Sequence, residues 1–275
     1  MIPGKPAPVL TVLGSGTALP SAERHSPAHH LDLARASVLV DCGPGTLHGL
    51  DRHGIDWAGL THVVVSHFHN DHVGDLAAIP FAMRLSAAPE RTIPLTLVGP
   101  PGLAGFLERL AAALGRHVLE PGGFPVLVRE VPLDEPFVDP GGEFRVRAYP
   151  TPHTGESVAL RVEGAWGAVG YTGDTGPSTE VAAFLRGCQV VISECSLSDP
   201  PDMDRHLSPR LVAQLGAVSA PDLLVLTHVY PPLTPERAVE QVSRLYHGRV
   251  VAGRDGMRIV LGADGPAVDP NADAI

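Results

Sequence analysis

The run Thr61-His-Val-Val-Val-Ser-His-Phe-His-Asn-Asp-His72 sets four metal-capable side chains, His67, His69, Asp71 and His72, directly behind an apolar stretch. Imidazole nitrogen and carboxylate oxygen are donors that zinc accepts at about 2.0–2.2 Å. Histidines at i and i+2 across a turn can converge on one ion, and Asp71 and His72 can then turn toward a second. Three more candidates follow apolar stretches in the same way: His153 in Pro-Thr-Pro-His-Thr, Asp174 in Tyr-Thr-Gly-Asp-Thr-Gly, and His228 in Leu-Thr-His-Val-Tyr-Pro. A lone histidine after a strand is usually capped and solvated; the ordered set is what argues for a ligand. Together these donors suffice for two four-coordinate ions if Asp174 bridges them and a water-derived oxygen completes the shells. Water shared by two zinc ions loses a proton near neutral pH, so the expected chemistry is hydrolysis by activated water. No Gly-x-Ser-x-Gly elbow or Ser–His pairing offers a covalent nucleophile instead.

Such donors converge only if rigid strands hold them. Apolar, β-branched runs predict strands over 8–13, 37–41, 61–66, 95–99, 126–131, 144–149, 157–162, 168–172, 190–193 and 223–227. A last pair, 250–252 and 257–261, flanks Gly253-Arg-Asp-Gly256 and reads as a hairpin. Helices are predicted from Leu103 to Leu114 with Gly115 as the stop, from Ser208-Pro209 to Gly216 with Ser208 as the N-cap, and from Thr234-Pro235 to about Tyr246. One α/β domain over residues 1–262 is expected, followed by a frayed tail over 263–275.

Composition narrows the function classes. The chain has 275 residues, 44% of them hydrophobic, which suits one large core. Its formal net charge of −10 argues against broad capture of DNA or RNA, whose affinity comes from Lys and Arg on phosphates. The three cysteines, Cys42, Cys188 and Cys195, form no Cys-x-x-Cys pair, so neither a disulfide framework nor a thiolate zinc knuckle is expected and a reducing cytoplasm fits best. The N-terminal stretch lacks the apolar core of a signal peptide, and no run of about 18 apolar residues predicts a membrane span. Gly14-Ser-Gly16 lacks the lysine of a phosphate loop and reads as a tight turn. Cys42 and Cys195 read as small buried apolar residues. His25, His29, His30, His48, His53, His62, His117 and His247 show no metal spacing.

The order His-x-His-x-Asp-His, a distant His, then Gly-Asp-Thr and a late Thr-His resembles the metallo-β-lactamase superfamily, over nearly the whole chain. Leu13-Gly-Ser-Gly-Thr-Ala-Leu-Pro20, Val40-Asp-Cys-Gly-Pro-Gly-Thr46 and Ser193-Glu-Cys-Ser196 followed by His206-Leu-Ser-Pro209 are similar to its ribonuclease Z-like branch. The resemblance implies a four-layered αββα fold. It implies that His67, His69 and His153 hold one zinc ion, that Asp71, His72 and His228 hold the other, and that Asp174 bridges. An N/O donor set also accepts Mn or Fe. It further implies His206 as a proton donor to the leaving group, with Glu194 steadying it. His206 also has a structural reading as a helix-flanking residue, and Glu194 and Asp41 divide evenly between supporting the site and plain structure. The family usually carries His where Ser193 stands, so outer support differs here. Homodimers are common in this branch.

Bacterial ribonuclease Z carries a long basic arm between the third His and the bridging Asp. The interval from His153 to Asp174 holds a strand pair and nothing more. An armless relative acting on small phosphodiesters is therefore the expected reading, with nucleic acid not favoured as a partner. Pre-tRNA 3′ endonuclease, aryl sulfatase, lactonase or other ester hydrolase, and a non-enzymatic metal-binding subunit are the alternatives. Substrate choice is expected to lie in loops 80–91 and 115–125.

Overall fold

In this chain most strands are buried on both faces, so their apolar residues alternate between two different cores. Val38 and Val40 point into one core while Leu39 between them points into another. Leu223 and Val225 enter the first core, and Leu224 and Leu226 a third. The computed structural model of the chain describes residues 7–86 and 91–269. The described residues form fifteen strands and seven α-helices arranged in four layers, helix, sheet, sheet, helix.

The first sheet has eight strands: β1 (Val9–Gly14), β2 (Ala28–Asp32), β3 (Ser37–Val40), β4 (His62–Val64), β5 (Leu95–Gly99), β6 (Val126–Glu130), β14 (Arg258–Gly262) and β15 (Gly265–Val268). Their spatial order is β15-β14-β1-β2-β3-β4-β5-β6, with β3 to β6 parallel. The second sheet has seven: β7 (Phe137–Val138), β8 (Arg145–Pro150), β9 (Val158–Gly164), β10 (Gly167–Tyr171), β11 (Val190–Glu194), β12 (Leu223–Thr227) and β13 (Val250–Ala252), in the order β13-β12-β11-β10-β9-β8-β7. Here β10 to β13 are parallel, and β8 runs with them because both it and β10 pair antiparallel to β9.

Helices α1 (Thr46–Arg52), α2 (Asn70–Val73), α3 (Ala78–Leu85) and α4 (Leu103–Leu114) lie on the first-sheet side; α5 (Thr179–Phe184), α6 (Pro209–Ser219) and α7 (Pro235–Ser243) lie on the second-sheet side. Leu50, Ile79, Leu103 and Leu107 join the outer faces of β4 and β5 in one core, and Val181, Val212 and Val242 join the outer faces of β11 and β12 in another. Among the described residues no helix is long and apolar enough to cross a membrane.

Four expectations are corrected. The pair 250–252 and 257–261 is not a hairpin: β13 pairs parallel to β12 in the second sheet, while β14 pairs with β1 in the first. The intervening turn is drawn away because the Asp255 carboxylate accepts from Ser15 N (2.8 Å), Ser15 Oγ (2.8 Å) and His25 N (2.7 Å). The predicted frayed tail begins too early, because residues 265–268 form β15 and ladder onto β14, burying Pro266; residues 270–275 lie outside the described residues. Ser208 sits at the N-cap of α6 but does not cap it. Its hydroxyl turns to Asp199, and the Asp199 carboxylate instead accepts from Arg210 N (2.9 Å). Of the loop 80–91, residues up to 85 belong to α3, and 87–90 lie outside the described residues.

Candidate metal centre

The strands β3, β4, β8, β10, β11 and β12 all end at one rim, and the candidate residues follow those ends: Asp41 after β3, His67 after β4, His153 after β8, Asp174 after β10 and His228 after β12, with Glu194 closing β11. The one-turn helix α2 then carries Asp71 and His72 back under the same rim. Phe68, between His67 and His69, stacks on Phe106 of α4 with centroids 4.7 Å apart and planes at 6°, which anchors the loop between its two histidines.

The donors form two groups that share Asp174. In the first, His67, His69, His153 and Asp174 have ligand-capable atoms within 4.8 Å of one another; in the second, so do Asp71, His72 and His228. Asp174 Oδ2 is 3.8 Å from His67 Nε2 and 3.6 Å from His153 Nε2, whereas Oδ1 is 3.4 Å from His72 Nε2 and 3.7 Å from His228 Nδ1. Asp71 Oδ2 is 3.2 Å from His228 Nε2 and 3.7 Å from His72 Nε2. Bonds of about 2.0–2.2 Å in a tetrahedron leave ligand atoms about 3.3–3.6 Å apart, close to these separations.

The hydrogen bonds around the rings decide which nitrogens face inward. Ser66 Oγ donates to Asp41 Oδ2 (2.7 Å), so its contact of 3.0 Å with His67 Nδ1 has the ring as donor. His72 Nδ1 donates to Asp41 Oδ2 at 2.7 Å, and His153 Nδ1 donates to the Arg205 carbonyl at 3.1 Å. Ser196 Oγ donates to Glu194 Oε2 (2.5 Å), which leaves it to accept from His228 Nδ1 (2.9 Å). All four rings thus carry a proton on Nδ1 and turn Nε2 toward the cluster, the arrangement that outer hydrogen bonds impose on ligating histidines. His69 differs: it is exposed, and its Nδ1 lies 3.1 Å from His153 Nε2, a spacing that requires a shared proton or a shared cation.

Electrostatics and burial favour a cation at this point. His67 Nε2, His72 Nε2 and Asp174 Oδ1 are buried without a hydrogen-bond partner, and a buried polar atom left so costs about 1–3 kcal/mol. Burial and the neighbouring His72 push His67 far below the ordinary histidine value, so it is neutral and able to ligate. Burial also lowers His153. Burial opposes ionisation of Asp174, but His228 and His72 outweigh it and hold the carboxyl well below its usual range. Burial likewise opposes charge on His72, yet Asp174 and Asp41 raise it well above its ordinary value, a measure of how strongly they draw positive charge. The residues fit divalent ions of the N/O-preferring kind.

His206 stands beside the two groups. Its ring centroid is 4.8 Å from that of His153 and 6.0 Å from that of His228, and it shares a ligand-distance cluster with Asp174 and His228. His206 Nδ1 donates to Glu194 Oε1 at 3.0 Å, so Nε2 is the nitrogen available to a substrate. Burial pulls this imidazole down, but the hydrogen bond and charge of Glu194 raise it above the ordinary histidine value. Glu194 also accepts from Thr175 N (2.7 Å) and Leu207 N (3.2 Å), tying the Asp174 loop to the His206 loop.

Asp41 is fully buried and holds both Ser66 and His72; with His228 it adopts a left-handed backbone (φ 55° and 57°), a conformation costly for side-chain-bearing residues and concentrated at functional sites. Sequence reasoning missed Ser66, Ser196, Tyr171 and His29. Ser66 and Ser196 are close in sequence to His67 and Glu194, and a hydroxyl beside a ligand was the available signal. Tyr171 Oη is 3.4 Å from His72 Nδ1, and buried His29 meets Tyr171 edge-on at 4.9 Å. Desolvation pushes His29 down to about 4, so it packs as a neutral ring. No spacing rule marks it.

Residues 36–229 match the family described as Beta-lactamase superfamily domain. Ribonuclease Z of Mycobacterium sp. (strain KMS) is 27% identical over 253 residues, covering 86% of this chain and 88% of that protein. The metallo-beta-lactamase fold protein YhfI from Bacillus subtilis superposes with a TM-score of 0.79 at 20% identity, covering 92% of this chain and 98% of that one. Human tRNase Z, short form, superposes with a TM-score of 0.73 at 21% identity over 92% and 99%. The chain belongs to the metallo-β-lactamase superfamily, in its ribonuclease Z-like branch.

Proposed function

We propose that this metallo-β-lactamase-type hydrolase is a phosphodiesterase whose site holds two zinc ions. His67, His69 and His153 would hold one ion, Asp71, His72 and His228 the other, with Asp174 between them. The observation that carries the reading is the division of the Asp174 carboxylate, one oxygen toward each histidine group. Two divalent ions so held supply Lewis acidity and lower the pKa of bound water toward neutrality. The chain's own residues do the rest. Asp41, Ser66 and Ser196 keep ring protons on Nδ1. Asp71 would contribute its carboxylate to the second ion's shell. His206, whose hold on a proton Glu194 strengthens, would donate from Nε2 to a departing oxygen.

Small diesters are favoured over RNA because β9 and β10 form a tight hairpin with no arm inserted, and because the net charge is −10. A ribonuclease Z-type activity on pre-tRNA is the second reading. It is favoured by the mycobacterial relative bearing that name, which this chain matches over 88% of its length. Both readings suit a cytoplasmic enzyme. Bis(p-nitrophenyl) phosphate, p-nitrophenyl sulfate and a pre-tRNA with a 3′ trailer, offered to the zinc-loaded protein, separate them. Turnover of the diester ahead of the other two is expected. Preferential trailer removal would establish the second reading, and turnover of the sulfate alone would overturn both.

A further inference from the structure

The segment 197–207 does two things at the site. Its residue His206 reaches the rim, and its Arg205 carbonyl accepts the proton of His153 Nδ1 at 3.1 Å. It therefore sets both a candidate proton donor and the orientation of a candidate metal ligand. The segment also lies directly on the Asp174 loop: a Cβ on Gly176 would come within 1.9 Å of the Asp204 carbonyl oxygen, so only glycine permits this approach.

Hydrogen bonds at both ends hold the segment in shape, and Leu207 is buried in the outer core. Leu197 N donates to the Leu207 carbonyl at 3.0 Å and closes it into a loop. Glu194 takes Leu207 N and the His206 ring at its inner end. At its outer end one side chain, Asp199, spans from the loop to the start of α6. Its Oδ1 accepts from Ser208 Oγ, and its Oδ2 accepts from Arg210 N at 2.9 Å. The Arg210 Nε contact, at 4.0 Å and half exposed, adds little. Asp199 thus replaces the N-cap that Ser208 does not provide, and its reach from outside the helix turns an ordinary cap into a staple between loop and helix.

We infer that Asp199 is a positioning residue that, by stapling the 197–207 loop to α6, holds the Arg205 carbonyl against His153 and His206 against the reaction centre together. The inference rests on the two-metal reading above. It makes an exposed carboxylate that caps a helix a determinant of metal affinity, which a purely structural cap would not be. Outer hydrogen bonds to ligating histidines change metal affinity by about 10–100-fold when removed directly. Loss of the staple acts at one remove and is expected at the lower end of that range.

The test compares wild type with Asp199→Ala, Asp199→Asn, Ser208→Ala and Arg210→Ala. Zinc affinity is measured by competition with a chromogenic chelator, and kcat and KM on bis(p-nitrophenyl) phosphate at saturating zinc. In Asp199→Ala one of two zinc ions is expected to bind about tenfold more weakly, with kcat also lower by about tenfold and KM nearly unchanged. Asp199→Asn keeps an acceptor for Arg210 N–H and an amide that can donate to Ser208 Oγ, so it should stay near wild type. Ser208→Ala should fall between, and Arg210→Ala should match wild type. Asp199→Ala with wild-type zinc affinities and kcat, and only a lower melting temperature, would overturn the inference while leaving the metal site standing. If Asp199→Ala does not fold, Ser208→Ala decides: wild-type zinc binding and kcat there would overturn it equally. A wild-type protein that takes up no zinc would overturn the site assignment and this inference with it.

Discussion

Four rings of the cluster, His67, His72, His153 and His228, are each aimed by a partner on the far side, and those partners differ in what their loss should do. Asp41 serves His72 directly and His67 through Ser66, so Asp41→Asn disturbs two candidate ligands in different groups. Zinc affinity is expected to drop by about 10–100-fold, read by equilibrium titration, with the fold retained by circular dichroism. His206 has no such position in the proposed shells. His206→Ala should leave metal content unchanged and lower kcat by about 10²–10⁴-fold. Elemental analysis alongside steady-state rates separates this from a ligand role: loss of one equivalent of metal would make His206 a ligand instead.

The elements matter for how firmly they hold those residues. Helix α4 is amphipathic, with Leu103, Leu107 and Ala111 in the core, and it offers Phe106 to the loop through Phe68. Phe106→Ala removes a stacked pair of about 0.5–1.5 kcal/mol along with its buried area. It is expected to weaken zinc binding measurably at an unchanged secondary-structure content, and unaltered affinity would show that α4 does not brace the loop. Most of these elements could be read in advance. Val63, Val64 and Val65, or Leu223 to Leu226, are continuous apolar runs because both strand faces are buried. The ligand run at 67–72 announced itself through residue type and spacing. What escaped was set by contacts distant in sequence. Strand β2 carries His29 and His30, whose burial depends on β1 and β3 on either side. Strand β15 contains Gly265 and Pro266 and exists through its ladder with β14. The turn at 253–256 has hairpin residues, but Asp255 is pinned by Ser15 and His25, more than two hundred residues away. The Asp199 cap was hidden because Ser208-Pro209 already looked complete.

At the scale of the whole molecule, the two sheets pack face to face across one shared core and bring their strand ends to one rim, so the proposed ions would tie β4 and α2 of the first half to β8, β10 and β12 of the second. Ligands that bind only the folded state stabilise it by about 2.7 kcal/mol at a concentration of 100 Kd. Chelation should therefore lower the melting temperature of the wild type in a metal-reversible way and leave that of Asp174→Ala nearly unmoved. A wild-type transition insensitive to chelator would mean that the two halves do not depend on metal. Pairing of two ions across Asp174 is tested by metal stoichiometry, from elemental analysis of zinc-reloaded wild type and Asp174→Ala. About two zinc ions per wild-type chain are expected, and fewer in the variant, with diesterase activity lost. No more than one ion per wild-type chain after reloading, or two retained without Asp174, would contradict that pairing.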